Sequence, residues 1–156
     1  MKSVAWGSVD WHGLYLLARE QGVVAIAFDG IQKIFDAEIG VEVDMPKMLK
    51  LQWISHVSNI ENGYRKQYAI AKELSEAWAE SGIRTVCLKG LVFSLYYPVP
   101  LHRECGDFDC YLMGQYDLGN RVAKQLGAKV MTVGGIYTVD PVVGGHDGLR
   151  TTIPNG

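Results

Sequence analysis

Cysteine is scarce in this chain: three residues in 156, Cys87, Cys105 and Cys110. An odd, sparse set excludes a disulfide-framed scaffold and points to reduced thiols in a cytoplasmic protein. No stretch approaches the ~20 consecutive apolar residues of a membrane span. The first ten residues, M-K-S-V-A-W-G-S-V-D, carry one Lys and no long apolar run, which is not the pattern of a secretory signal. Charge of neither sign dominates, with 15 Lys and Arg against 17 Asp and Glu and a net −2. There is thus no broad basic face for nucleic acid, and Arg65-Lys66 is too small a patch to make one. Repeats and low-complexity segments are missing. So are three motifs: the P-loop, the Gly-x-Gly-x-x-Gly turn between strand and helix (the glycines at 134–135 and 144–145 lack that context), and the Gly-x-Ser-x-Gly nucleophile elbow.

What is present is ordinary for a globular chain: 48% hydrophobic and 21% charged residues, enough for one domain or one and part of another. Ser8 or Asp10 can cap a helix beginning near Trp11, with Leu14, Leu17 and Ala18 as its apolar stripe. Gly22 stops it, and Val23, Val24, Ala27, Ile31, Ile34 and Phe35 form a second amphipathic set, as in a helical hairpin. This region reads as packing. Asp36 to Met45 is a linker. Pro46 suits a helix start, and apolar residues from Ile54 to Trp78 recur every three or four positions. The spacing predicts one long helix from Pro46 to about Glu80, with Gly63 as a bend and Ser81-Gly82 as the stop.

The stretch from Ile83 to Met113 organises the rest. It predicts a strand over Ile83–Leu88, a Lys89-Gly90 turn, a short helix over Leu91–Tyr97, and a loop stiffened by Pro98 and Pro100. Arg103 follows, then a second strand over Asp107–Met113. Residues i and i+2 of a strand share a face. Asp107 and Asp109 are therefore expected to project together, with Phe108, Cys110 and Leu112 turned to a core. Two adjacent carboxylates repel unless a cation joins them or one takes a proton. Hard divalent ions are held in this way, with substrate phosphates completing the shell. Lys89 and Gly90 stand where a helix N-terminus favours anions; the plainer alternative is a glycine turn with a solvated Lys. Arg103 can hold a phosphate bidentately or pair with Glu104 or Asp107. His102 and Glu104 receive no role. A zinc set of His102, Cys105 and Cys110 matches no common spacing. Asp140, His146 and Asp147 lie in a Gly- and Pro-broken tail that disfavours an acid–base set.

The Lys-Gly turn, the Tyr-Pro-x-Pro loop, the Arg, and Gly-Asp-Phe-Asp followed by apolar residues resemble the uncharacterised bacterial nucleotidyltransferases of the DNA polymerase β-like superfamily. The resemblance runs from about Val9 to Val130. It implies an α+β fold, with a helical N-terminal region packed on a small mixed sheet. It also implies transfer of a nucleoside monophosphate from an NTP to a small-molecule or protein acceptor, with Mg²⁺ (or Mn²⁺) as cofactor. By the same resemblance Asp107 and Asp109 are the first two metal carboxylates, and Lys89, Gly90, Ser94 and Arg103 the nucleotide-binding residues. The superfamily usually places Ser or Gly after the turn glycine; here Leu91 follows Gly90, and Ser94 stands a turn later.

After Lys129–Val133 and Ile136–Val139, both read as strands, the tail is rich in Gly. The expected third metal carboxylate has one placeable candidate, Asp140. The expectation is a relative truncated or frame-altered after about Val130, with its sheet incomplete at the C-terminus. Residues 1–82 are expected to form the helical region, 83–140 the nucleotidyltransferase-like core and 141–156 an irregular tail. The alternative to an enzyme is a degenerate, inactive fold that binds a nucleotide or a protein.

Overall fold

In the computed structural model, which describes residues 9–37, 44–133, 136–140 and 150–154, Asp10 opens the first helix, α1 (Trp11–Glu20). Its carboxylate accepts from the Gly13 backbone N–H at 2.9 Å, satisfying one of the orphan donors of the first turn. At the other end Gly22 takes a φ of +63°. Its N–H bonds Arg19 and the Val23 N–H bonds Ala18, the closing pattern in which a left-handed glycine ends a helix. The chain enters α2 (Val24–Ala37) directly.

The stripe expected from Leu14, Leu17 and Ala18 is rotated. Trp11, Tyr15 and Ala18 are the buried residues of α1, and Leu17 is exposed. The cause is aromatic. The Tyr15 ring meets Trp53 edge-on at 5.2 Å, and Phe28 of α2 lies 5.8 Å from the same indole. Such rings bring more buried area than a leucine does. Trp53 is fully buried, and its indole N–H donates to the Val24 carbonyl at 2.9 Å. Trp53 lies on α3 (Lys47–Glu80), a 34-residue helix that follows Pro46 much as expected and continues through Gly63.

The chain divides into two compact units. The expected boundary after residue 82 is not observed. The first unit runs to Asn62 and takes in Leu101–Glu104; the second holds Gly63–Pro100 and everything from Cys105. Composition changes at Ser81-Gly82, but burial divides along the length of α3. Its early residues Leu49 and Trp53 join the first core, and Ile70, Ala71, Leu74 and Trp78 join the second.

The second unit adds β1 (Val86–Lys89), α4 (Leu91–Ser94), β2 (Asp107–Tyr111), α5 (Tyr116–Gln125), β3 (Lys129–Val133), β4 (Ile136–Asp140) and β5 (Arg150–Pro154). The sheet is five-stranded and mixed, in the order β1-β2-β5-β4-β3, with β2 and β5 parallel and the other pairs antiparallel. Helical region plus mixed sheet is the expected α+β class. As expected, Phe108, Cys110 and Leu112 are buried. Trp78 donates its indole N–H to the Gly119 carbonyl at 3.0 Å. A Cβ on Gly119 would collide with Leu112 Cδ1, so a larger residue there would require the Leu112 side chain to shift.

β5 corrects the expectation of an irregular tail, because Arg150–Pro154 occupies the place beside β2. Thr151, Thr152 and Ile153 are β-branched and suit a strand. Residues 141–149, with His146 and Asp147, lie outside the described residues. Among the described residues no helix is long and apolar enough to cross a membrane.

Candidate functional site

β1 and β2 build the site. Val86 pairs Tyr111 and Cys87 pairs Cys110, and regular register would then set Leu88 against Asp109; instead Lys89 pairs Asp109. Leu88 is thus the extra residue of a β-bulge, which re-aims the side chain that follows it. The result is an ion pair: Lys89 Nζ lies 3.0 Å from Asp109 Oδ2. Lys89 is 56% exposed and Asp109 only 14%. With one partner in solvent, the pair is worth on the order of 0–1 kcal/mol to stability. The other oxygen, Asp109 Oδ1, is buried and has no hydrogen-bond partner.

An orphaned carboxylate oxygen in a protein interior costs about 1–3 kcal/mol and calls for an explanation. It is also the donor a hard divalent cation takes. Asp109 therefore fits one ligand of a Mg²⁺ site, with Lys89 supplying positive charge to its second oxygen. Asp107 opens β2 two residues earlier, and its backbone pairs Arg150 of β5. Asp140 ends β4. β5 stands between β4 and β2, which places the two backbones roughly 10 Å apart at ordinary strand spacing. The side chains of Asp107 and Asp140 lie outside the described part of the structure. Among the described residues no group of three or more His, Cys, Asp or Glu gathers as a metal site.

After Lys89, Gly90 adopts φ +80° and ψ −118° and opens α4, a backbone conformation that favours glycine. The expected helix over Leu91–Tyr97 is only four residues of α-helix. The winding continues to Tyr97 through tighter bonds from Leu95 to Val92, Tyr96 to Phe93 and Tyr97 to Ser94. So short a helix offers little dipole to a phosphate, which leaves Lys89 as the charge at the turn. Ser94 does not face a ligand. Its hydroxyl is fully buried and donates to the Leu91 carbonyl, and it shares a 2.8 Å bond with the Tyr64 hydroxyl. The serine meets internal demand from α3 and from its own turn, so its assignment to the nucleotide does not fit its surroundings.

Arg103 belongs to the first unit. His102 and Glu104, the residues on either side of it, fix its segment there. His102 Nδ1 lies 2.7 Å from Asp29 Oδ2, and Nε2 lies 3.1 Å from Glu61 Oε1. Burial works to lower the His102 pKa, but the hydrogen bonds and charges of Asp29 and Glu61 prevail and raise it above its ordinary value. Glu104 Oε1 accepts from the Val24 N–H at 3.3 Å, a carboxylate at a helix N-terminus supplied from far along the chain. A His flanked in space by two acids has no sequence periodicity to betray it. The other end of the loop is pinned within the second unit, where Gln67 Nε2 donates to the Cys105 carbonyl at 2.6 Å, just before β2.

The two thiols of the strand pair touch, with Cys87 Sγ 3.9 Å from Cys110 Sγ. The Cys110 hydrogen bond pulls the Cys87 thiol down to about 7 against the opposing effect of burial. The same contact and burial push the Cys110 thiol up.

Of the sequence candidates, then, Lys89, Gly90 and Asp109 are joined in one strand–turn arrangement, and Ser94 is turned inward. No curated protein and no solved structure gives a match to this chain. The family model described as uncharacterised nucleotidyltransferase matches residues 7–129, nearly the span of the resemblance, and the chain belongs to that family.

Proposed function

We propose that the protein is a Mg²⁺-dependent nucleotidyltransferase that moves a nucleoside monophosphate from an NTP to a small-molecule or protein acceptor. The observation that carries this reading is Asp109, a largely buried carboxylate with one oxygen on Lys89 and the other unpartnered. Asp107 and Asp109 are the carboxylates to hold the ion, and Mn²⁺ suits the same oxygens. Asp140 is the remaining acidic candidate, set back by the intervening β5. Bound there, the ion would supply charge neutralisation at the attacking oxygen and the pyrophosphate leaving group. Lys89 holds Asp109 in place and, being exposed, can turn its ammonium to a phosphate oxygen. Gly90 lets a phosphate approach the backbone.

The test is pyrophosphate release across an NTP panel with Mg²⁺, on wild type, Asp107→Asn and Asp109→Asn. Release by the wild type and loss to background in both variants, with unchanged cooperative melts, is the expected result. Activity that survives both substitutions overturns the proposal.

A second reading, a nucleotide-binding module without turnover, is favoured by one observation. Leu91 follows Gly90 and the nearest hydroxyl, Ser94, is committed internally, so the turn offers no side-chain donor beyond Lys89. In that case NTP with Mg²⁺ raises the melting midpoint, by about 2.7 kcal/mol of stability at 100 times the dissociation constant, while no pyrophosphate appears.

A further inference from the structure

We propose that Cys87 and Cys110 form an oxidation site, at which a hydroperoxide converts the pair to an intrachain disulfide across β1 and β2. The two residues are direct register partners. Antiparallel partners hold their Cα atoms ~4.5–5.5 Å apart, inside the ~4.4–6.8 Å range that a disulfide spans. Their sulfurs already lie 3.9 Å apart, so side-chain rotation and a small approach of the strands close the gap to a bond of ~2.05 Å. Both are free thiols.

The exposure of the two differs in a way that orders the chemistry. Cys110 is fully buried. Cys87 is half-buried and lines a surface cleft of about 510 Å³, with Ser75, Gly82, Arg84 and Thr85 among its neighbours. A peroxide therefore reaches Cys87 first. The Cys87 sulfur attacks the distal oxygen of ROOH, the O–O bond breaks, and Cys87 sulfenic acid and ROH form. The Cys110 sulfur then attacks the Cys87 sulfur and expels water. In sum two thiols and ROOH give one disulfide, ROH and H₂O; the thiols lose two electrons and the peroxide gains them. The third thiol, Cys105, precedes β2 and has no cysteine opposite it in the sheet. The new bond would stand one residue from Asp109 and two from Lys89. It would fix the strand register from which the bulge at Leu88 departs.

The experiment treats native protein with hydrogen peroxide, blocks residual thiols by alkylation after unfolding, and reads intact mass and disulfide-linked peptides. Wild type is expected to fall from three alkylatable thiols to one, losing about 2 Da before alkylation. A single Cys87–Cys110 link should account for this, and dithiothreitol should reverse it. Cys105→Ser should fall from two thiols to none, and in Cys87→Ser the Cys110 thiol should stay alkylatable. A link to Cys105, a disulfide-linked dimer, or oxygen adducts on Cys87 with Cys110 still alkylatable overturns the proposal. The wild-type peptide map decides the matter even where a cysteine variant does not fold.

Discussion

The two units treat their buried polar atoms differently. In the first, the Trp53 indole has the Val24 carbonyl, the Tyr15 hydroxyl has His56 at 3.1 Å, and His102 has a carboxylate on each ring nitrogen. In the second, Thr85 Oγ1, Asp109 Oδ1 and Asn120 Oδ1 are buried without a hydrogen-bond partner. No described residue of the first unit carries such an atom. A buried orphan costs stability unless something binds it. The first unit therefore reads as scaffold, with its demands met internally. The second holds unmet demand, and one of its orphans sits on the strand with the Asp-x-Asp motif. Under the proposed function, the difference should separate substitutions that unfold the protein from those that remove its activity.

The largest effect should come from breaking the scaffold. Trp53→Ala removes a fully buried indole and its bond to Val24. A loss of about 3–5 kcal/mol is expected, read as a lowered midpoint in denaturant or heat. By contrast Asp109→Asn keeps shape and volume, and should leave the midpoint close to wild type while removing pyrophosphate release. If the two variants lose stability equally, the division into scaffold and site fails.

Much of the scaffold is legible in the sequence, and so are the residues that make up the candidate site. The long helix was visible because its apolar residues recur for many turns. The β2 strand was visible because Phe108, Cys110 and Leu112 alternate with polar positions. Asp-Phe-Asp stands out by its period-2 spacing on a strand. The bulge at Leu88 was invisible, since an extra residue in a ladder leaves no periodic trace, and without it Lys89 would not face Asp109. β5 was missed because its run is short and its pairing with β2 spans over forty residues of chain. Thr151, Thr152 and Ile153 were the available signal. The α1 stripe is not legible from leucine spacing, because Trp11 and Tyr15 decide which face is buried. Ser94 was misassigned because its demand comes from Tyr64, thirty residues away, which no local pattern records.

A smaller effect should sharpen the comparison from the side of the first unit. His102 has its pKa raised above 6.5 by Asp29 and Glu61, against the opposing effect of burial. A group with a raised native pKa stabilises fully below its unfolded value, and that stability is lost as pH rises through the native value. The wild type should therefore lose stability relative to His102→Gln as pH climbs from about 6.5, with a slope no steeper than one proton, roughly 1.4 kcal/mol per pH unit. Melts at several pH values check this. A difference that is flat with pH would mean that the His102 bridge holds Leu101–Glu104 without its charge.

The smallest change in stability should come from Lys89→Met, yet it says most about the site. The Lys89–Asp109 pair is half in solvent, so its loss should move the midpoint by less than about 1 kcal/mol. Ligand effects should split. Without Lys89, Asp109 Oδ2 is released, and Mg²⁺ alone should stabilise the variant more than the wild type. Mg²⁺ with NTP should stabilise it less, because a phosphate oxygen has lost its ammonium. Melts with Mg²⁺ alone and with Mg²⁺ and NTP separate the two effects. Opposite shifts mean that Lys89 moves from carboxylate to phosphate as substrate binds. Parallel gains would mean that it only competes with the cation, and the turn would then hold nucleotide by backbone alone.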